Sequence, residues 1–394
     1  MGYHTVKSNL LKGVGFSVLL LGVASLLVDI SSEMILSILP LFIISLNGTG
    51  IIVGLIGGVG DSVANLLKVF SGYWSDKIGK RKIFVFSGYT VSAFSKIFLA
   101  FSGIWQHVLI LRTMERTGKG LRDAPRDAII SESKKMGKAF GIHRAMDTSG
   151  AVIGSGVAFL LLFVFTTSSL LHQYKTIILL ASIPAFCALI PLVFIHEKKK
   201  MKTETKISFK NLPKKFYLML TVMFVFSIGN FTYMFFLLKA NLVLSIYGFR
   251  NIAALTVLFY VFFNVVYAIF AIPSGMLSDK IGRKKVIVTG YLVFALTCAG
   301  FAFFNSLLAL VLLFALYGVF YAMIEGNQRA FASDFAPEHL RASALGAFHT
   351  CIGIGALIGS VVAGILWTYM NPSAAFVFGA GMAFVSVGLL GMLR

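Results

Sequence analysis

Long apolar stretches separated by short polar ones run through the chain. They fall at 14–46, 50–75, 83–104, 106–133, 138–166 and 175–195. After one longer polar interval they resume at 216–246, 252–277, 286–304, 306–334, 342–370 and 373–393. A helix needs about 20 apolar residues to cross the hydrocarbon of a bilayer, and it satisfies its own backbone hydrogen bonds where no water can. The pattern therefore predicts an all-α membrane protein of twelve transmembrane helices joined by short loops. The polar interval, His196 to Lys215, holds Lys198, Lys199, Lys200, Lys202, Lys206, Lys210, Lys214 and Lys215. It divides the chain into an N-terminal six-helix bundle (1–197), a basic linker (198–215) and a C-terminal six-helix bundle (216–394). The first apolar stretch follows a short basic lead of His4, Lys7 and Lys12 and is too long for a cleaved signal peptide. It is expected to be retained as the first span.

Composition removes the main alternative. Of 394 residues, 58% are hydrophobic and only 13% charged, against about 25% charged in a soluble domain, so no large soluble domain is expected. The net charge of +20 would suit nucleic acid, but its placement assigns it to the membrane. Lys77, Lys80, Arg81, Lys82, Lys134, Lys135, Lys138, the linker, Lys280, Arg283, Lys284 and Lys285 fall on one side; the loops of the other offer only Lys175 and Arg250. Lys and Arg favour cytoplasmic loops. Both termini and the linker are therefore expected in the cytoplasm, and no nucleic-acid partner is expected. The Lys content and short loops fit a prokaryotic plasma membrane. Cys187, Cys298 and Cys351 stand singly in apolar runs, as small packing residues do.

The two halves are related. Residues 72–82 read GYWSDKIGKRK and residues 275–285 read GMLSDKIGRKK, 203 positions later; Arg126 and Arg329 keep that offset. With a two-residue slip, Gly150 and Gly154 match Gly355 and Gly359. A parallel six-helix repeat predicts two bundles about an axis along the membrane normal, with a central cavity between them near the midplane. In the repeated loop, Gly72 and Gly275 suit close helix approach, and Asp76 and Asp279 sit where they can meet a neighbouring helix. Gly79 and Gly282 permit a tight turn. Paired loops of this form, twelve spans and a 6+6 repeat resemble the major facilitator superfamily over essentially the whole chain. The resemblance implies a conformational role for Asp76, Arg81, Asp279 and Arg283, away from the cargo.

The fourth span is unusually charged: Arg112, Glu115, Arg116, Lys119, Arg122, Asp123, Arg126 and Asp127 occupy an arc of about 140°. Such a stripe is too costly against lipid and must face protein or a wet cavity. The family commonly carries an Arg before a Gly-x-Gly on this helix; here Gly118 and Gly120 are present, Met114 holds the Arg position, and Arg112 and Arg116 flank it. On the first span Asp29 and Glu33 lie one turn apart, and Asp61 is similarly deep on the second, with Lys68 two turns on. Buried carboxylates are either paired or functional, so these three are candidates for proton exchange, with a permanent salt bridge to the fourth-span cations as the alternative. On the fifth span, His143, Arg144 and Asp147 precede Gly150 and Gly154, whose spacing suits helix packing. Superfamily exporters often have a glycine-rich motif here; Ser155 stands where its Pro would be.

The second half is sparser. Glu325 and Arg329 are four apart and read as a local pair or a second part of the cavity. Lys239 is expected to snorkel at the outer end of its helix. Buried acids and bases balance, nine against nine with Asp334 counted among them, so the sign of the cargo is not legible. No P-loop and no His-Glu-x-x-His metal site occurs, so no ATP hydrolysis, metal or cofactor is expected. The chain is read as a secondary transporter and not an enzyme, moving a small organic solute by alternating access as a monomer, with protons as coupling ion. Proton-coupled efflux is the first reading. Uptake or exchange of an organic anion held by Arg112, Arg116 or Lys119 is the second, and a membrane-embedded enzyme or sensor the third.

Overall fold

The computed structural model describes residues 15–133, 135–165, 169–197, 212–337 and 340–392. Most of the expected basic linker, and Lys134, lie outside the described residues. The described residues form fourteen helices and no strands. The first bundle contains α1 (Phe16–Ser45), α2 (Gly50–Ile78), α3 (Arg81–Ala100), α4 (Trp105–Ile130), α5 (Met136–Val164), α6 (Leu170–Cys187) and the short α7 (Leu189–Val193). The second contains α8 (Lys214–Gly229), α9 (Met234–Ile246), α10 (Ile252–Ile281), α11 (Arg283–Phe303), α12 (Leu307–Asp334), α13 (Arg341–Tyr369) and α14 (Pro372–Met392). Helices α6 and α7 continue one another as a single span, as do α8 and α9. Eleven of the resulting twelve spans are apolar enough to cross a membrane by length and composition. The twelfth is α4, whose charges lower its hydropathy.

The turns end where the sequence supplies the means. Gly79 closes α2 at φ 70° and Gly282 closes α10 at φ 93°, a backbone region that costs glycine little. Side chains cap three later starts: Ser169 accepts from His172 N, Asn251 from Ala254 N and Ser306 from Ala309 N. One span departs from expectation. The stretch 216–246 is interrupted at 230–233, between α8 and α9, where Gly229 and Asn230 are weak helix formers. The freed Thr232 N–H donates to Ser360 Oγ at 3.0 Å, and the Asn230 N–H to Phe226 O at 2.8 Å.

Packing repeats between the halves. In the first bundle α1 packs on α5 and α6, α4 on α2 and α3, and α3 on α6. The counterparts in the second are α8 on α13 and α14, α12 on α10 and α11, and α11 on α14. The two bundles meet along α2·α13 and α5·α10, two pairings that exchange under the same repeat. Glycines set these approaches. A methyl on Gly150 would meet Leu26 O of α1 at 2.7 Å, and one on Gly154 would collide with the Ile30 carbonyl; Gly355 and Gly359 stand against Ser227 and Ile228 of α8 in the same way. Gly72 makes only ordinary contact with Ala124, and a methyl on Gly275 would meet open space. The expectation that Gly275 lets helices approach closely is therefore corrected: α10 turns this face away from its neighbours.

The outward surface is apolar, with Phe94, Phe98, Phe163, Ile183, Ile272 and Leu308 among its exposed side chains. The buried charges lie within the bundles, the reverse of a soluble protein and the arrangement a lipid solvent favours. Aromatic stacking fills the second bundle: Phe226 lies on Tyr291 with centroids 3.6 Å apart, and Phe236 on Tyr317 at 4.2 Å.

Candidate functional site

A cavity of about 590 Å³ lies between the bundles. Its walls come from α1 (Asp29, Glu33, Leu36), α2 (Asp61, Lys68, Gly72, Asp76), α4 (Arg116, Lys119, Arg122, Asp123, Arg126, Asp127) and α5 (Arg144, Asp147, Ala151). The second bundle adds Tyr233, Tyr260, Phe263, Asn264, Tyr267, Tyr321, Glu325, Arg329 and His349. Charge thus sits mostly on the first bundle and aromatic surface on the second. The cavity reaches Asp76, Asp127 and Arg144 at the end that bears the paired basic loops. The opposite end is closed by contacts between the halves: Ile51 N–H to Thr368 Oγ1 at 3.1 Å, Asn251 Nδ2 to Leu162 O at 2.9 Å, and Tyr233 Oη to Leu36 O at 2.9 Å.

Most of the wall charges are matched. Arg116 meets Asp61 at 2.7 Å, Lys68 meets Asp123 at 3.1 Å, and Arg126 meets Asp127 at 3.0 Å. Asp147 takes His143 of its own helix at 3.4 Å. Glu325 is the junction of the halves: Arg144 of α5 reaches it at 2.7 Å, Arg329 at 3.3 Å, and Tyr267 binds both Glu325 and Arg144. The local Glu325–Arg329 pair expected from spacing exists, but it forms part of a bridge between bundles.

Two carboxylates stand apart. Among the described residues Asp29 makes no ion pair or hydrogen bond, and Glu33 accepts only from Tyr260 Oη, at 2.8 Å. The charged groups that face Asp29 include Asp147, Lys119, Arg122, Glu33 and, from α3, Lys96; those that face Glu33 include Lys119, Arg116, Arg112 and Asp29, beside the Tyr260 hydroxyl. Two cations are also underused. Lys119 has no ion pair among the described residues. Arg122, only 2% exposed, lies over the Tyr89 ring at 4.4 Å, with its Nε and one terminal nitrogen unpartnered. Its nearest carboxylate oxygen, on Asp123, is 3.9 Å away.

Arg112 and Glu115 sit behind the wall. Each is 3% exposed, they pair with one another, and neither lines the large cavity. Placing them in the cavity is therefore corrected. The α4 face that carries them turns toward Lys96, fully enclosed on α3, whose Nζ donates to Ser31 and Ser32 Oγ at 2.9 Å each. Met114, at the position of the family's Arg, points outward and is 46% exposed. Lys239 is 6% exposed and enclosed by protein, so it does not snorkel.

The paired loops differ from one another. Arg81 binds Asp76 at 2.6 Å and Glu132 at 2.8 Å, while Glu197 accepts from the N–H groups of Arg81 and Lys82. In the second copy Arg283 binds Asp334 and the Ala330 carbonyl, and Asp279 is exposed with no ion pair among the described residues. Asp334 is half exposed at the loop end and so does not belong with the buried acids. No His/Cys/Asp/Glu cluster suited to a metal ion occurs among the described residues.

The comparisons with known proteins agree with this architecture. The Major Facilitator Superfamily profile matches residues 21–264 and 251–394. An uncharacterized MFS-type transporter of Methanocaldococcus jannaschii is 45% identical over 379 residues, covering 95% of this chain and 94% of that one. The multi-drug resistance efflux pump PmrA of Streptococcus pneumoniae is 31% identical over 121 residues, 31% of this chain and 28% of the pump. Among solved structures, a mutant of the nucleoside transporter NupG superposes with a TM-score of 0.79 at 16% identity, covering 96% of this chain and 99% of that one. With its family profile matched across both halves and a near full-length relative, this chain belongs to the Major Facilitator Superfamily and is a membrane transporter of a solute rather than an enzyme.

Proposed function

We propose that the protein is a proton-coupled exporter of small organic solutes, acting as a monomer by alternating access. The observation that carries this reading is the pair Asp29 and Glu33: they line the cavity with no cation in ion-pair contact, while Asp61 on the same wall is held by Arg116. A carboxylate without a fixed partner in a partly dehydrated cavity can trade a proton for a cationic group of cargo. Asp61, tied to Arg116, then serves as structure. The basic end, by its Lys and Arg, faces the cytoplasm of a prokaryotic plasma membrane, so the cavity opens inward and the sealed end faces outward. Asp76 stays within its own bundle on Arg81, with no ion pair or hydrogen bond to the second half among the described residues. That fits a loop whose cross-bundle contact belongs to the outward-open state. Export rather than uptake is supported by the partial match to an efflux pump and by the α5 glycines.

A second reading, uptake or exchange of an organic anion, is favoured by the unpaired Lys119 beside Arg122. Everted vesicles separate the two. With an acidified lumen, an exporter accumulates cargo, and Asp29→Asn or Glu33→Gln abolishes the gradient-driven part. Accumulation that ignores the gradient, or that both variants retain, contradicts proton-coupled export.

A further inference from the structure

Once the ion pairs of the cavity wall are set aside, a small set of charges of both signs is left. Asp61, Asp123, Asp127 and Glu325 each have an Arg or Lys partner, Asp76 has Arg81, and Asp147 has His143. Glu325 serves both Arg144 and Arg329, and the groups with no close ion pair on the wall are Lys119 and Arg122 on α4 and Asp29 and Glu33 on α1. Each pair is one turn apart on its helix, so α4 offers a doubly positive patch and α1 a doubly negative one, within electrostatic reach of each other. Arg122 still has two buried nitrogens without a partner, and a buried donor left unsatisfied is costly, more so when charged. Facing these patches, Tyr233 lies on Tyr260 at 5.4 Å and Tyr260 on Phe263 at 5.7 Å, with Tyr267 and Tyr321 beyond.

A ligand bearing one charge would compensate one patch and leave the other without a partner, in a setting where unpaired charge is expensive. A ligand bearing both signs meets both patches. We propose that the cargo is a small zwitterion with an aromatic or similarly flat apolar body. Lys119 and Arg122 hold its anionic group, Asp29 and Glu33 hold its ammonium group, and the tyrosine-rich wall of the second bundle takes its body. The assignment rests on the reading of this cavity as the transport site. It also gives the antiport a physical form: when the ammonium group leaves, protons replace it on Asp29 and Glu33, and the cationic patch on α4 is unaffected by that exchange.

The test uses the full-length protein and three probes sharing an indole body: tryptophan (both charges), tryptamine (positive only) and indole-3-propionate (negative only). Binding is measured by calorimetry in weak buffer with the pH recorded. Tryptophan should bind at least about tenfold more tightly than either of the others, as one lost charge-assisted contact implies. Lys119→Gln or Arg122→Gln should reverse tryptophan and tryptamine, and Asp29→Asn with Glu33→Gln should put indole-3-propionate first. Lys119→Arg should keep the wild-type order. Lys119 is partly exposed and unpaired, so its variants answer the question even where an Arg122 variant fails to fold. A singly charged probe outbinding tryptophan, an order unmoved by the variants, or no binding of any probe at millimolar concentration overturns the zwitterion site. The pH record reports separately on coupling. Tryptophan binding with the expected order but no proton release leaves this assignment standing and removes the antiport.

Discussion

A methyl group added at Gly154 would strike the Ile30 carbonyl of α1, whereas one added at Gly156, two residues on, would meet nothing. Overpacking of this kind costs about 1–3 kcal/mol. Gly154→Ala should therefore lower the Tm of the purified protein, and Gly156→Ala should leave it unchanged; equal effects would contradict the α1·α5 contact. A second residue-scale expectation concerns Tyr260, whose hydroxyl is the only hydrogen-bond donor to Glu33 among the described residues. A hydrogen bond to a charged group contributes about 1.5–3 kcal/mol. Tyr260→Phe should weaken gradient-driven transport by about tenfold or more while Tyr291→Phe, whose hydroxyl serves Gln328 in the second bundle, leaves coupling intact. At this scale the sequence was only partly legible. Asp29, Glu33 and Asp61 were visible because a carboxylate inside an apolar run stands out. Lys96 was not, because a single Lys in an apolar helix reads equally as a snorkelling side chain. Only its placement opposite Ser31 and Ser32 shows it to be enclosed.

Among the elements, α4 carries most of the site and is also the span that hydropathy alone would pass over. Its periodicity located the charged stripe, but the stripe divides in space. Arg116, Lys119 and Arg122 line the cavity, while Arg112 and Glu115 look the other way. An arc of about 140° is wide enough to serve two neighbours, and one-dimensional spacing does not tell which part serves which. The bridge from α5 to α12 was illegible for a related reason, since Arg144 and Glu325 lie in different halves and nothing in either half announces the other. That bridge crosses the open end of the cavity. Removing it with Arg144→Gln should widen and broaden the distance distribution between spin labels on α5 and α12 at the basic end. An unchanged distribution would show that α2·α13 and α5·α10 alone set the opening. The interruption between α8 and α9 belongs to the same class of missed feature, since Gly229-Asn230 marks it only in retrospect. It places Tyr233 at the cavity, and broken spans recur at transporter binding sites.

For the whole molecule, the repeat 203 positions apart foretold more than any single motif. The loop 72–82 and its copy 275–285 fixed two bundles, and the bundles fixed where a cavity had to be. The copies have since diverged in what they contact: Asp76 is held by Arg81, while Asp279 is exposed and Arg283 has turned to Asp334. Asp76→Asn should therefore disturb the conformational balance more than Asp279→Asn, measured as a change in alkylation rate of a cysteine at Thr148 on the cavity wall. Equal effects would restore symmetric roles to the two loops. The division of the cavity into a charged first-bundle wall and an aromatic second-bundle wall was partly legible, since the second half is sparser in buried charge and richer in Tyr and Phe, but which of its aromatics reach the cavity rather than pack or face lipid was not. Coupled transport by this molecule turns on Asp29 and Glu33 giving up protons when cargo takes their place. The direct test is the proton count on adding tryptophan to purified protein in weak buffer. Release is expected on binding, and it should be lost in Asp29→Asn with Glu33→Gln. Binding without release, or release that this variant retains, would contradict proton exchange at these two carboxylates.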